Sequence, residues 1–498
     1  MIPRHRRAWR VLLVLILLLA AALRVVNLGG RAIGYDEAYS VLYAQSWQPE
    51  IGGPVTDVHP PLYYGVLRVW MWLVGQSPEG VRTCSVLTGI LTVAVVYRLA
   101  ADLFGRRAAR AAALLVAIAP FHVEYSQEAR MYALMALWLL LATWCLVRGW
   151  RDPRAWRWWV GFAVFAALSM YTQQLAAFYL VALALFPMAA RRWDVCGRVI
   201  AAGLAALALY LPWLANLAGQ IGYISGAYWV PKPDLFQAFR TLFVLTMPFV
   251  NVLSLPVFAV AVAVALLAVL SVLLRAYRAR AALDWRAGMV LWLAFAPPAL
   301  MFVVGQFLPI YLQRAMLASA LVFYVALACL LVERGVPPRL AGALAALWLA
   351  TAGFGLALHY TWDTIPWPPF DRAAAYLTQS YGPGDAIVHS DRMTLLPMLY
   401  YERALPGMFI ADPVAPGSEV LALEMQRALG IQETPCVQAA VRGAARVWFV
   451  IYHGREASPS LTWLRDNFAQ SDVMAFNDLD VYRFAGPDPA AQRSECPP

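Results

Sequence analysis

The stretch GYDEAYS occupies residues 34–40, just beyond an apolar run at 9–28, and DVHPPLYY follows at 57–64. Adjacent acids and a histidine so close to a lipid boundary are costly to desolvate unless they have partners or a task. The segments around them decide the fold. Apolar runs lie at 9–28, 82–104, 108–122, 129–148, 156–171, 175–190, 198–214, 250–274, 287–304, 314–332 and 339–358. A helix needs roughly 20 apolar residues to cross a bilayer, and each run approaches that length. The run between 156 and 190 is divided at TQQ, 172–174. This reading gives eleven spans.

Composition agrees. Of 498 residues, 62% are hydrophobic and 14% charged, against about 25% charged in soluble domains. An α-helical polytopic membrane protein is the expected class, in contact with membrane lipids. The formal charge of +10 needs no nucleic-acid partner, because its distribution follows the loops. Arginines gather before the first span, then at 106–110, 148–157, 191–198, 275–286 and 334–339, so every second loop is basic. The intervening loops hold fewer, such as Arg31, Arg68, Arg240 and Arg314. Basic loops stay in the cytoplasm. The N-terminus is therefore expected inside, and with eleven spans the C-terminal segment outside. The first run, with its basic flank, also fits a cleaved signal peptide, but the alternation of charge works with it retained.

Past TWDTIPWPPF (361–370) the long apolar runs stop. DAIVHS (385–390), RVWFVIY (446–452) and DVYRF (480–484) predict strands, while 371–382, 394–403 and 461–468 predict helices. Alternating strands and helices predict a small α/β domain at 363–498, after a membrane domain at 1–362. Outside the cytoplasm Cys436 and Cys496 could pair, or remain two free thiols. The six cysteines show no CxxC spacing, which argues against a zinc or redox motif.

Chemistry is expected on the outer face. The first outer loop, 29–81, is long for a connector. Its segments 38–47 and 61–75 predict helices on or dipping into the interface, where Tyr and Trp prefer to sit. They would place Asp36, Glu37, Asp57, His59 and Tyr63 at the outer surface. The second outer loop holds Glu124, Glu128 and Arg130, and a helix there would put both glutamates on one face. A later one ends in Arg314. Carboxylates on two loops and arginines on two others suit a phosphate-bearing substrate and acid–base work. Plainer readings stand beside this. Asp36 or Glu37 could cap a helix, Glu124 and Glu128 could line a solvated loop, and Arg314 could be a snorkelling anchor. His59 could be an ordinary surface histidine. A divalent metal held by His59 with Asp36 or Asp57 is conceivable, though no ligand spacing supports it, and no cofactor is required.

The series DEAYS, HPPLYY and EYSQEARMYAL resembles the glycosyltransferase family 39 group, which includes protein O-mannosyltransferases and the lipid A aminoarabinose transferase of the GT-C superfamily. The resemblance spans roughly residues 10–335. It implies an enzyme of the bacterial cytoplasmic membrane that takes a sugar from a polyprenyl-phosphate donor and acts on the extracytoplasmic face. Asp36 matches the catalytic aspartate, a general base in one inverting displacement, and Glu37 would orient the loop or substrate. His59 takes the place of a lipid-phosphate donor. Glu128 with Arg130 falls at the second acidic position, and Arg314 at the phosphate-holding basic residue. HPPLYY differs from the HPPLAK of eukaryotic mannosyltransferases, so the sugar and the acceptor (glycan, lipid, protein or small molecule) stay open. A flippase would call for inverted repeats and charges deep in the spans. A glycan polymerase or ligase would share the outer arginines without needing the DE and HPP motifs.

Overall fold

The computed structural model describes residues 4–47, 59–227, 230–244, 255–278, 284–332, 338–411, 423–454, 458–487 and 495–496, and the statements below concern these. The helices run α1 Arg4–Val25, α2 Tyr35–Gln45, α3 Leu62–Val74, α4 Pro78–Phe104, α5 Arg106–Ile118, α6 Pro120–Ser126, α7 Tyr132–Arg151 and α8 Trp156–Thr172. They continue with α9 Ala176–Ala189, α10 Trp193–Ala227, α11 Leu235–Val244, α12 Leu255–Arg278, α13 Trp285–Gly305, α14 Leu317–Val332 and α15 Pro338–Thr361. A 3₁₀ turn at Gln313–Met316 leads into α14.

Each predicted span is mostly helical over its described residues, and fewer than eleven helices are long and apolar enough to cross by themselves. Seven helices are long and apolar enough to cross alone, and an eighth counts if α5 and α6, bent by 60°, form one broken span. The apolar part of α1, Val11–Val25, and α9 are shorter, and α8 has 17 residues. The bend has a covalent cause. Pro120 has no N–H to continue the α5 ladder, and the carbonyls freed there, Val116 and Ala117, accept from the buried Arg24 guanidinium at 3.4 and 3.0 Å. The α4 helix starts under Ser77, whose hydroxyl accepts from Gly80 N at 3.1 Å.

The two outer-loop helices behave differently. α3 keeps a lipid-type face, with Trp72 82% and Val69 60% exposed. α2 is covered by protein on most of its surface. Ala38, Val41, Leu42, Tyr43 and Ala44 are almost wholly buried, because α2 is enclosed between α3 and the C-terminal domain.

That domain contains α16 Phe370–Ser380, α17 Arg392–Tyr401, α18 Leu423–Leu429, α19 Val437–Ala440 and α20 Pro459–Asn467. Its strands are β1 Asp385–His389, β2 Met408–Ile410, β3 Gln432–Thr434, β4 Arg446–Tyr452, β5 Phe468–Phe476 and β6 Leu479–Pro487. They form one sheet in the order β3-β2-β1-β4-β6-β5, with the first four parallel and the last two antiparallel. After Arg446 the central β4 is apolar from Val447 to Tyr452, as a strand covered on both faces must be. Val447, Phe449 and Ile451 pack toward α19 and α20, and Trp448 and Val450 toward α16. Cys436 and Cys496 form a disulfide with Cα atoms 5.7 Å apart. Leu395, Leu396 and Leu399 of α17 join the same core as α2 and the membrane helices, so the hydrophobic interior runs without a break into the domain.

Candidate active site

The site begins at the first turn of α2. Gly34 caps it, and a Cβ there would lie 2.7 Å from Pro366 O and 2.8 Å from Trp367 Cδ1, so only glycine fits. Asp36 and Glu37 then occupy the turn where backbone N–H groups favour negative charge. Successive helical residues point about 100° apart, and the two acids therefore face different surroundings.

Glu37 faces inward and is 1% exposed. Arg82, at the start of α4 and equally buried, meets it with two parallel bonds, Nε to Oε1 at 2.8 Å and Nη2 to Oε2 at 2.7 Å. The Ala129 N–H donates to Oε1 at 3.0 Å and Trp367 Nε1 to Oε2 at 3.3 Å. Burial alone would raise the Glu37 pKa, but the Arg82 guanidinium outweighs it and holds the carboxyl below its ordinary range. With its lone pairs occupied, Glu37 is an anchor.

Asp36 lies at the rim, with its side chain 31% exposed. Arg314 Nη1 donates to Oδ2, and Arg130 Nη2 stands 3.8 Å from Oδ1. Arg130 Nη1 also donates to the Asp36 carbonyl at 3.1 Å and to Ser40 Oγ at 3.0 Å. Both guanidinium groups lie near the Tyr132 ring, 5.1 Å (Arg314) and 6.0 Å (Arg130) from its centroid. Burial pushes the Asp36 pKa up, and the two arginines more than reverse this, leaving it below the usual carboxylate range. The snorkelling reading of Arg314 does not describe this geometry, since its guanidinium is bound to Asp36.

Glu124 and Glu128 do not share a helix face. α6 ends at Ser126, so Glu124 is helical and Glu128 lies in the following turn. Nor are they solvated, at 8% and 6% exposure. Glu124 Oε2 has no hydrogen-bond partner among the described residues. Burial, with Asp36 and Glu37 nearby, pushes Glu128 up to about 7. Tyr63 is buried against Tyr64, with ring centroids 5.7 Å apart. The half-buried His59 lies 6.4 Å from the Tyr39 and Tyr64 rings and contributes to the field at Asp36. Asp57 falls outside the described residues. Among the described residues, no three His, Cys, Asp or Glu side chains gather as metal ligands.

The structure holds an apolar cavity of about 330 Å³. Phe121, Thr241, Phe295, Phe302 and Met316 line it, together with Gln313, the residue preceding Arg314.

Sequence reasoning missed Arg82, Arg24, Ser40 and Trp367. Arg82 and Arg24 did carry a signal, since an arginine inside or at the edge of an apolar run is a functional candidate by default.

Residues 58–215 match a family model described as dolichyl-phosphate-mannose-protein mannosyltransferase. Among solved structures, ArnT from Cupriavidus metallidurans bound to undecaprenyl phosphate aligns at TM-score 0.65 and 14% identity, covering 95% of this chain and 99% of that one. The chain shares the fold of that structure. A second similar structure is the Archaeoglobus fulgidus oligosaccharyltransferase AglB, in complex with an inhibitory peptide and a dolichol-phosphate. It aligns at TM-score 0.53 and 12% identity over 96% of this chain and 74% of its own. No curated protein matches by sequence. The likeness in fold covers both parts of the chain, because the ArnT alignment takes in 95% of it.

Proposed function

We propose that the protein transfers a sugar from a polyprenyl-phosphate donor to an acceptor on the extracytoplasmic side of the bacterial cytoplasmic membrane. The observation that carries this reading is Asp36 held by Arg314, whose chain neighbour Gln313 lines an apolar cavity. An isoprenoid chain suits the cavity, and Arg314, with Arg130 beside it, suits the phosphate. The ArnT relative is described with undecaprenyl phosphate and AglB with a dolichol-phosphate. The basic alternation of the loops supports an N-terminus inside, and the Cys436–Cys496 disulfide suits an oxidising compartment for the C-terminal domain.

The chemistry follows from the charges. With Arg314 and Arg130 on its carboxylate, Asp36 is a poor base. An arriving lipid phosphate competes for Arg314, and release of that bond raises the proton affinity of Asp36. Asp36 then takes the proton of the acceptor hydroxyl as its oxygen bonds to the anomeric carbon. The bond from that carbon to the phosphate oxygen breaks, with inversion, and the leaving lipid phosphate is stabilised by the arginines. Glu37 contributes by position alone.

The test is Asp36→Asn. Purified protein in lipid nanodiscs is given a panel of undecaprenyl-phosphate hexoses and pentoses with a membrane extract as acceptor, and release of undecaprenyl phosphate is followed. The variant should retain binding of undecaprenyl phosphate and lose turnover by at least a hundredfold. Transfer at the wild-type rate would remove Asp36 as the base.

A further inference from the structure

The chain after α15 returns to the membrane domain and inserts Trp367, 5% exposed, against the cap of α2. Its Nε1–H donates to Glu37 Oε2 at 3.3 Å, its ring lies 4.2 Å from the Arg31 guanidinium, and Pro366 O fills the space beside Gly34. The C-terminal domain dictates where this segment sits. Asp478 accepts from Ile365 N at 2.7 Å, and Asn477 Nδ2 donates to Asp363 O at 2.8 Å, both from the β5–β6 turn. That turn is tight, with Asn477 at φ 58°, a conformation asparagine tolerates better than most residues. A second hold comes from α17. Tyr401 Oη accepts from Ile33 N at 2.7 Å, and Arg392 lies 5.9 Å from the Tyr35 ring. Four residues around the cap, Ile33, Gly34, Tyr35 and Glu37, are therefore touched from the C-terminal side.

We infer that the C-terminal domain is part of the catalytic unit, and that Trp367 is a positioning residue that sets Asp36 through Glu37 and the α2 cap. This rests on the reading of Asp36 as the base. The physical link is short. α2 is only 11 residues long, and an isolated helix of that length is marginal in water, so its first turn is as firm as the groups holding it. Arg82 secures Glu37 from the membrane side, and Trp367 secures it from the domain side. Without the second hold, Glu37 remains bonded to Arg82 while the cap at Gly34 is free to open, and Asp36 moves with it.

The test uses the full chain in nanodiscs and two variants, Trp367→Phe and Tyr401→Phe. Hydrogen exchange is read on the peptide covering 33–40, and kcat and KM on whichever undecaprenyl-phosphate sugar the wild type turns over. Loss of one bond to a charged or backbone partner should speed exchange in that peptide and lower kcat, each by about tenfold, with KM within twofold and undecaprenyl phosphate binding unchanged. Exchange at wild-type rates in both variants overturns the inference, as does faster exchange with unchanged kcat. Should Trp367→Phe fail to fold, Tyr401→Phe alone decides by the same two readings. Absence of turnover by the wild type with every donor is a failure of the proposed function, and exchange still reports whether the domain holds α2.

Discussion

Glu37→Gln tests the anchor directly. Arg82 uses all five of its donors on named acceptors. Two go to Glu37, and the others to the carbonyls of Leu28, Arg31 and Ala32 at 2.7, 2.9 and 2.9 Å. Both side chains are 1% exposed. A glutamine keeps the shape but removes the charge, and it turns an NH₂ group toward a guanidinium that can only donate. Breaking one side of such a buried pair costs about 3–5 kcal/mol, a large share of the roughly 5–15 kcal/mol that keeps a protein folded. Thiol reactivity during heating provides the assay. Cys84, two positions after Arg82, and Cys145 and Cys196 are free and buried, whereas Cys436 and Cys496 are silent in their disulfide. The dye-labelling midpoint of Glu37→Gln should fall by roughly 5–10 °C. The sign with pH is also set. The folded pKa of Glu37 lies below its unfolded value, so its contribution is present above about pH 4.3 and is lost on acidification. The gap between variant and wild type should therefore close at low pH. Replacing both partners, Glu37→Leu with Arg82→Met, leaves no buried charge and should cost less than the sum of the two single changes. Superimposable melting curves for Glu37→Gln and the wild type at pH 7 would refute the anchor, and additive single changes would refute the coupling.

Arg314→Ala should weaken binding of undecaprenyl phosphate about 10- to 100-fold, the worth of one charge-assisted bond, with Arg314→Lys intermediate; unchanged affinity in a nanodisc titration would separate Arg314 from the phosphate. Glu128 is raised from 4.5 to about 7, so its ionisation opposes folding. Glu124 is raised too, to about 8, so wild-type stability should fall as pH climbs from about 4.5 through 8, Glu128 contributing on the order of 3 kcal/mol, and Glu128→Gln should show a smaller fall in the same thiol-reactivity melts.

The long elements were legible because their cause is local. The runs that became α4, α7 and α14 announce themselves by apolar length, and the strand RVWFVIY by the six apolar residues that follow Arg446. β2 and β3 were not legible, since three residues at a sheet edge carry no period to read. Nor was β5, whose first residue Phe468 was assigned to the preceding helix. In the site, charge alternation put Asp36 and Arg314 on the same side of the membrane, but 278 positions separate them, and only packing shows that they touch. Trp367 lies 330 positions from Glu37, in a segment that reads as a linker, and no spacing rule connects the two.

The adjacency of Asp36 and Glu37 acquires a reason from this geometry. One residue of helix turns the side chain by about 100°, enough to send one carboxylate into a dry, fully bonded pocket and leave the other at the rim. Separated by three or four residues they would share a face, and both would be anchored or both exposed. A base that works at the edge of a membrane must keep its position without spending its own lone pairs on holding it. A neighbour bonded to Arg82, Ala129 and Trp367 supplies that fixity through the shortest possible length of backbone, and in the proposed reaction Asp36 keeps partners that an arriving phosphate takes away.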